Sequence, residues 1–257
     1  MNLSKLRDSR WVSALLILFI FYLLNYHADN LIKLLFPDFS GYARWGARMT
    51  VEVAGSIAAV MLLYKTWLTG ALKEMAVVKP VHKALLLAFA STLPLPLIYG
   101  FGSSWATDAG AMELLFFTFL SPVSEEILFR GFAFWMLYRY TNFGFWASAL
   151  LPAAVFGVEH MAQLQQWMQQ LGIVAITGIG SIWFSWLLMK WENLWVPIAF
   201  HILMNFWWAL FDAGATALGD ITTIAVRFST ILISILFTIR KVKLPDLLRA
   251  DKTMSDS

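Results

Sequence analysis

The chain reads as an all-α, polytopic bundle of membrane-spanning helices, and three observations point there. Of its 257 residues, 60% are hydrophobic and only 14% are charged, whereas soluble domains carry about a quarter charged residues. Apolar runs of about 20 residues, the length that lets a helix cross the hydrocarbon core, recur along the chain. No alternating ten-residue pattern of a β-barrel is present. Backbone polar groups in hydrocarbon must be satisfied within their own segment, so helices are the form these runs take.

Eight segments satisfy this reading: about Trp11–Tyr26, Thr50–Thr69, Lys83–Phe101, Ala111–Tyr140, Phe145–Met161, Leu171–Lys190, Leu194–Phe211 and Ile221–Ile239. The first is short and continues naturally through Leu31–Phe36. The fourth is long and contains Pro122, which predicts a kink or break there. With the N-terminus placed inside and the spans alternating, fourteen of the 19 basic residues fall in inside segments. Lys33, Arg44 and Arg48 fall outside, and Arg130 and Arg227 within spans. This asymmetry predicts eight spans with both termini cytoplasmic. Residues 1–244 form one transmembrane domain in this reading, and 245–257 a polar, mobile tail.

Composition also excludes function classes. The formal net charge is only +3, so the basic residues serve as topology markers and nucleic acid is not a partner. The absence of Cys rules out disulfides, thiolate nucleophiles and Cys-based metal sites. Lys5, Arg7 and Arg10 precede the first apolar run like a signal n-region. No small-residue cleavage site follows, so a retained first span is expected. Gly55 with Ala59, and Ser181 with Ser185, are spaced four apart and suit close helix contact. Gln163–Gln170, with Trp167, reads as an interfacial loop. No internal repeat of a transporter is found.

Polar groups at bilayer depth are costly and mark function. Three clusters stand out: Ser124-Glu125-Glu126 through Arg130, Phe156 through Glu159-His160, and His201 through Asn205. Glu126 and Arg130 are four apart and share a helix face, so they can pair. Glu125 is turned about 100° away and cannot easily share that arginine. A carboxylate left without a cation can take up and return a proton, as a general base or acid must. His201 and Asn205 also share a face and can present two donors to one point, as an oxyanion site requires. His160 can complete a Glu–His pair that holds water. Glu159 reads as a solvated residue at the outer edge, and Glu52, His27 and His82 as interfacial. Arg227 either pairs with Asp220 or snorkels.

Glu125-Glu126-x-x-x-Arg130, Phe156-x-x-x-His160 and His201-x-x-x-Asn205, in that order and each in a separate span, resemble the CPBP family. That family comprises type II CAAX prenyl endopeptidases and bacterial bacteriocin-processing and immunity relatives. Phe129-Arg130-Gly131 also looks like the family's usual sequence after the glutamates. The resemblance covers about Ala111 to Phe211 and implies an intramembrane endopeptidase with that stretch as its catalytic core. By position, Glu125 and His160 would activate the attacking water. His201 and Asn205 would stabilise the oxyanion, and Glu126, Arg130 and Phe156 would support the site. The substrate implied is a membrane-associated peptide or protein, and the location a multi-pass position in a lipid bilayer, the plasma membrane for a bacterial source.

Zinc is possible, with Glu125, His160 and His201 as candidate ligands, but the His-Glu-x-x-His helix is absent. Metal-independent water activation is the favoured reading, with no cofactor. Two other classes use the same residues. A membrane scaffold or regulator of the same fold would act by binding a membrane protein, and a proton-coupled transporter would use the Glu and His residues as a relay.

Overall fold

The computed structural model describes residues 10–102, 105, 110–211 and 218–255, with side chains described as far as Lys241. Every regular element among them is helical. In chain order these are α1 (Arg10–Leu35), α2 (Gly41–Tyr64), α3 (Leu68–Glu74), α4 (Val81–Thr92), α5 (Pro94–Gly102), α6 (111–140), α7 (Gly144–Glu159), α8 (Trp167–Trp191), α9 (Trp195–Leu210) and α10 (Ile221–Ser255). Lys5 and Arg7 lie outside the described residues, as do the side chains of the 245–257 tail. Its backbone is helical as far as Ser255.

Among the described residues, five helical stretches are long and apolar enough to cross a membrane: α1, α2, Gly144–Gln163, α8 and Ile221–Lys241. α4 and α5, bent by 41° at their junction, make a sixth if taken as one span. Pro94 explains the bend, because it offers no N–H to the preceding turn and its ring crowds the carbonyl there. α9 is apolar but has only 16 residues. α1 does run on past Tyr26, ending at Leu35. The expected Gln-rich loop is shorter than 163–170. A 3-10 turn covers His160–Gln163, and α8 begins at Trp167.

α6 is the axis of the molecule. It alternates between α and π winding: Ala111–Leu114 α, Leu115–Leu120 π, Ser121–Glu125 α, Glu126–Phe134 π and Trp135–Tyr140 α. The break expected at Pro122 takes this form. Proline cannot donate to the carbonyl four residues back, and the wide π turn just before it absorbs the mismatch. Within Glu126–Phe134 every residue except Ile127 is buried. α6 packs against α1, α2, α7, α8 and α9. The main apolar core, including Phe132, Phe134, Met136, Leu188 and Leu194, surrounds it.

α7 and α8 approach most closely at Gly157. A Cβ there would sit 2.8 Å from the Val174 carbonyl oxygen, a contact only glycine permits. Gly55 of α2 instead faces the end of the Leu24 side chain of α1, which can turn aside. Ser181 and Ser185 are buried on α8, and the Ser185 hydroxyl donates to the Ser181 carbonyl at 2.9 Å.

Candidate active site

A cavity of about 520 Å³ opens among α1, α2, α6, α7, α8, α9 and α10. Glu125, His160, His201 and Asn205 all line it, together with Arg130 and Phe156. Residues expected to act together from three distant stretches of sequence therefore face one space.

Glu125 ends the short α turn Ser121–Glu125, and Glu126 begins the π segment. Consecutive positions on a helix point in different directions, and the two carboxylates meet opposite surroundings. The Glu125 side chain is 28% exposed and faces the cavity, whereas that of Glu126 is fully buried. Glu126 Oε1 lies 3.1 Å from Arg130 Nη1, the i,i+4 pair the spacing predicts. The same oxygen accepts a hydrogen bond from His201 Nδ1 at 2.8 Å. The buried Arg130 guanidinium lies 4.3 Å from the Phe156 ring centroid and 5.4 Å from that of Phe184. Aromatic faces thus share its charge with Glu126.

The spacing from Phe156 to His160 has a local reason. His160 Nδ1 donates to the Phe156 carbonyl oxygen at 2.7 Å, one helical turn back. This fixes the ring and leaves Nε2 as its second, unprotonated nitrogen in the neutral form. On α9, His201 Nε2 lies 3.9 Å from Glu125 Oε2 while Nδ1 is held by Glu126. Asn205, one turn further, lines the cavity and donates one amide hydrogen to the Phe117 carbonyl at 3.1 Å. The other amide hydrogen belongs to the same two-donor group.

Several cavity residues escape a sequence reading. Glu52 is not interfacial but buried. Its Oε1 accepts from Arg48 Nε at 2.6 Å and its Oε2 from the Ser124 hydroxyl at 2.8 Å. Arg48, counted above with the outside residues, lies within α2 and lines the cavity. Glu159 is not a solvated edge residue either. It is partly buried, lines the cavity and accepts a hydrogen bond from Asn25 of α1. Arg227 faces the cavity from α10, 4.2 Å from the Trp208 ring centroid, and donates to the Leu218 carbonyl. Asp220 instead caps α10, accepting from the Thr223 N–H at 2.8 Å. The available signal was the Arg48–Glu52 spacing, the same i,i+4 pattern as Glu126–Arg130 inside another apolar helix.

Among the described residues no three His, Asp or Glu side chains converge as a metal-holding group. Glu125, His160 and His201 as placed therefore do not fit a three-ligand zinc site.

Residues 107–207 match the model of the type II CAAX prenyl endopeptidase Rce1-like family. That segment, well under half of the chain, is similar to the Rce1-like family. It holds all three motifs and the helices that carry them. The chain is 33% identical over 98 residues to the "Putative membrane peptidase YdiL" of Bacillus subtilis (strain 168), covering 38% of this chain and 36% of YdiL. It is 28% identical over 93 residues to the "Uncharacterized protein YpbD" of the same organism, covering 36% of this chain and 42% of YpbD. The matched stretch thus spans less than half the length of either relative. No solved structure matches at comparable significance. α1, α2 and α10, which supply Asn25, Arg48, Glu52 and Arg227, lie outside the family match.

Proposed function

We propose that the chain is an intramembrane endopeptidase that hydrolyses a peptide bond of a membrane-associated protein or peptide. The observation that carries this reading is the single cavity lined by Glu125, His160, His201 and Asn205. In the proposed reaction, Glu125 and His160 hold a water molecule. Glu125 takes its proton as the oxygen attacks the scissile carbonyl carbon. The carbonyl oxygen becomes an oxyanion, stabilised by His201 Nε2–H and the free Asn205 amide hydrogen. His201 already donates from Nδ1 to Glu126, so it donates from Nε2 only as an imidazolium. Glu126, shared with Arg130, and Glu125 at 3.9 Å together compensate the two cations. The C–N bond then breaks, and Glu125 returns the proton to the departing amine.

The proposed topology has eight spans, with 111–140 and α9 completing the six apolar units, and both termini on the cytoplasmic side. The positive-inside bias supports it. Low local dielectric around the cavity strengthens the oxyanion donors.

The test uses purified protein in proteoliposomes with a panel of internally quenched peptides, some prenylated at a C-terminal Cys and some not. The expected result is cleavage by the wild type that is lost in Glu125→Ala and, separately, in His160→Ala, with both variants still folded. Full activity in Glu125→Ala would refute the assignment.

A further inference from the structure

We infer that Arg48 and Glu52 of α2, acting through Ser124, are positioning residues that hold the turn bearing Glu125. The inference rests on the catalytic reading of Glu125 given above.

The turn Ser121–Glu125 is a single α turn between two π segments, Leu115–Leu120 and Glu126–Phe134. π winding replaces the regular i→i−4 ladder with wider turns. The five residues between are thus coupled to less regular helix on both sides, and contacts from outside the helix weigh more in fixing them.

The hydroxyls of this turn depart from the commonest pattern among the described helical hydroxyls. In an apolar helix a serine or threonine usually donates to the carbonyl four residues back. Ser56, Thr118, Thr177 and Ser185 all do so. Ser121 and Ser124 do not. The Ser121 hydroxyl donates to Glu125 Oε1 at 2.5 Å, and the Ser124 hydroxyl crosses to Glu52 Oε2 at 2.8 Å. Both therefore aim at carboxylates. Ser121 holds one oxygen of Glu125, while the other, Oε2, is the one nearer His201 Nε2.

Glu52 can serve as this anchor only because Arg48 is beside it. Its side chain is 5% exposed, and the Arg48 contact at 2.6 Å supplies the opposite charge. A charged pair at this depth is costly compared with apolar packing. Apolar side chains could have joined α2 to α6 equally well. A buried carboxylate that accepts from the residue next to the base does what apolar packing cannot, because it fixes a direction as well as a distance.

The experiment compares Ser124→Ala, Glu52→Ala and the double variant on whichever panel peptide the wild type cleaves. Small misplacements of a reacting group cost rate more than binding, so kcat should fall roughly tenfold to a hundredfold with KM within about twofold. The double variant should be no slower than the slower single one, because both break the same bond. Ser124→Thr, which keeps the hydroxyl, should recover kcat. Unchanged kcat in Ser124→Ala, or effects that multiply in the double variant, would overturn the inference while leaving the Glu125 assignment intact. Glu125→Ala, run alongside, judges that assignment separately. Amide hydrogen exchange over residues 121–126 needs no substrate. Faster exchange in Ser124→Ala supports the inference, and exchange equal to the wild type overturns it even if no peptide is cleaved.

Discussion

Two charged assemblies meet at the same cavity, and they are built differently. Glu126, Arg130 and His201 form a sealed one, with Glu126 and Arg130 at most 1% exposed and aromatic rings against the guanidinium. Arg48, Glu52 and Ser124 form an open one, in which the Arg48 side chain is 39% exposed while Glu52 is buried. The sealed assembly joins α6 to α9 within the family match, and the open one joins α6 to α2 across its edge. The comparison teaches that burial of a carboxylate does not identify the reacting group here. Glu125, more exposed than Glu52 and Glu126, is the one proposed to meet a substrate.

Several measurements can break or sharpen this contrast. The largest expected effect is on catalysis. Glu125→Ala should lower kcat/KM by about 10²- to 10⁴-fold, the usual contribution of a general base, in a peptide-cleavage assay with unchanged thermal stability. Next is the sealed assembly. Glu126→Ala leaves Arg130 buried without its carboxylate and should cost about 3–5 kcal/mol, read as a loss of folded protein in detergent. Breaking the open assembly through Glu52→Ala should cost less, because the Arg48 guanidinium it leaves behind is 39% exposed and water can reach it. Equal losses in the two variants would show that exposure does not separate them. Gly157→Ala tests packing away from both. The added methyl meets the Val174 carbonyl and should cost about 1–3 kcal/mol by forcing α7 from α8, measured by thermal unfolding.

The smallest effect belongs to Asp220. The Thr223 N–H, to which it is bonded, holds its carboxyl below the usual aspartate range. A depressed folded-state value means that its contribution is present at neutral pH and fades as pH falls through the carboxylate range. The difference in melting temperature between wild type and Asp220→Ala should therefore shrink on acidification. A constant difference would count against this cap.

Hydropathy alone located the long helices, because a 20-residue apolar run has few alternatives in lipid, but not the short α3 or the division of the third segment into α4 and α5. The three motifs located the cavity residues, because fixed spacings of four bring polar groups to one helix face. The π winding of α6 was not legible: apolar patterning is too coarse to register an extra residue per turn. Glu52 was hidden for a different reason. A lone acidic residue near a predicted helix end reads as interfacial, and only the true start of α2 at Gly41 places it in the interior. Asn25 was hidden because a single amide near the end of an apolar run gives no sign of its partner Glu159, 134 residues away on α7.

The position of Arg130 four residues after Glu126 also bears on how such a chain is made. The partner that completes the buried assembly, His201, lies 75 residues downstream of Glu126 and is synthesised later. During that interval α6 carries both members of its ion pair on one face. A nascent segment in which Arg130 neutralises Glu126 meets a smaller barrier to entering lipid than one in which Glu125 and Glu126 are both uncompensated. In the proposed eight-span topology, the intrahelical pair thus eases the entry of α6 into the bilayer before His201 has been translated.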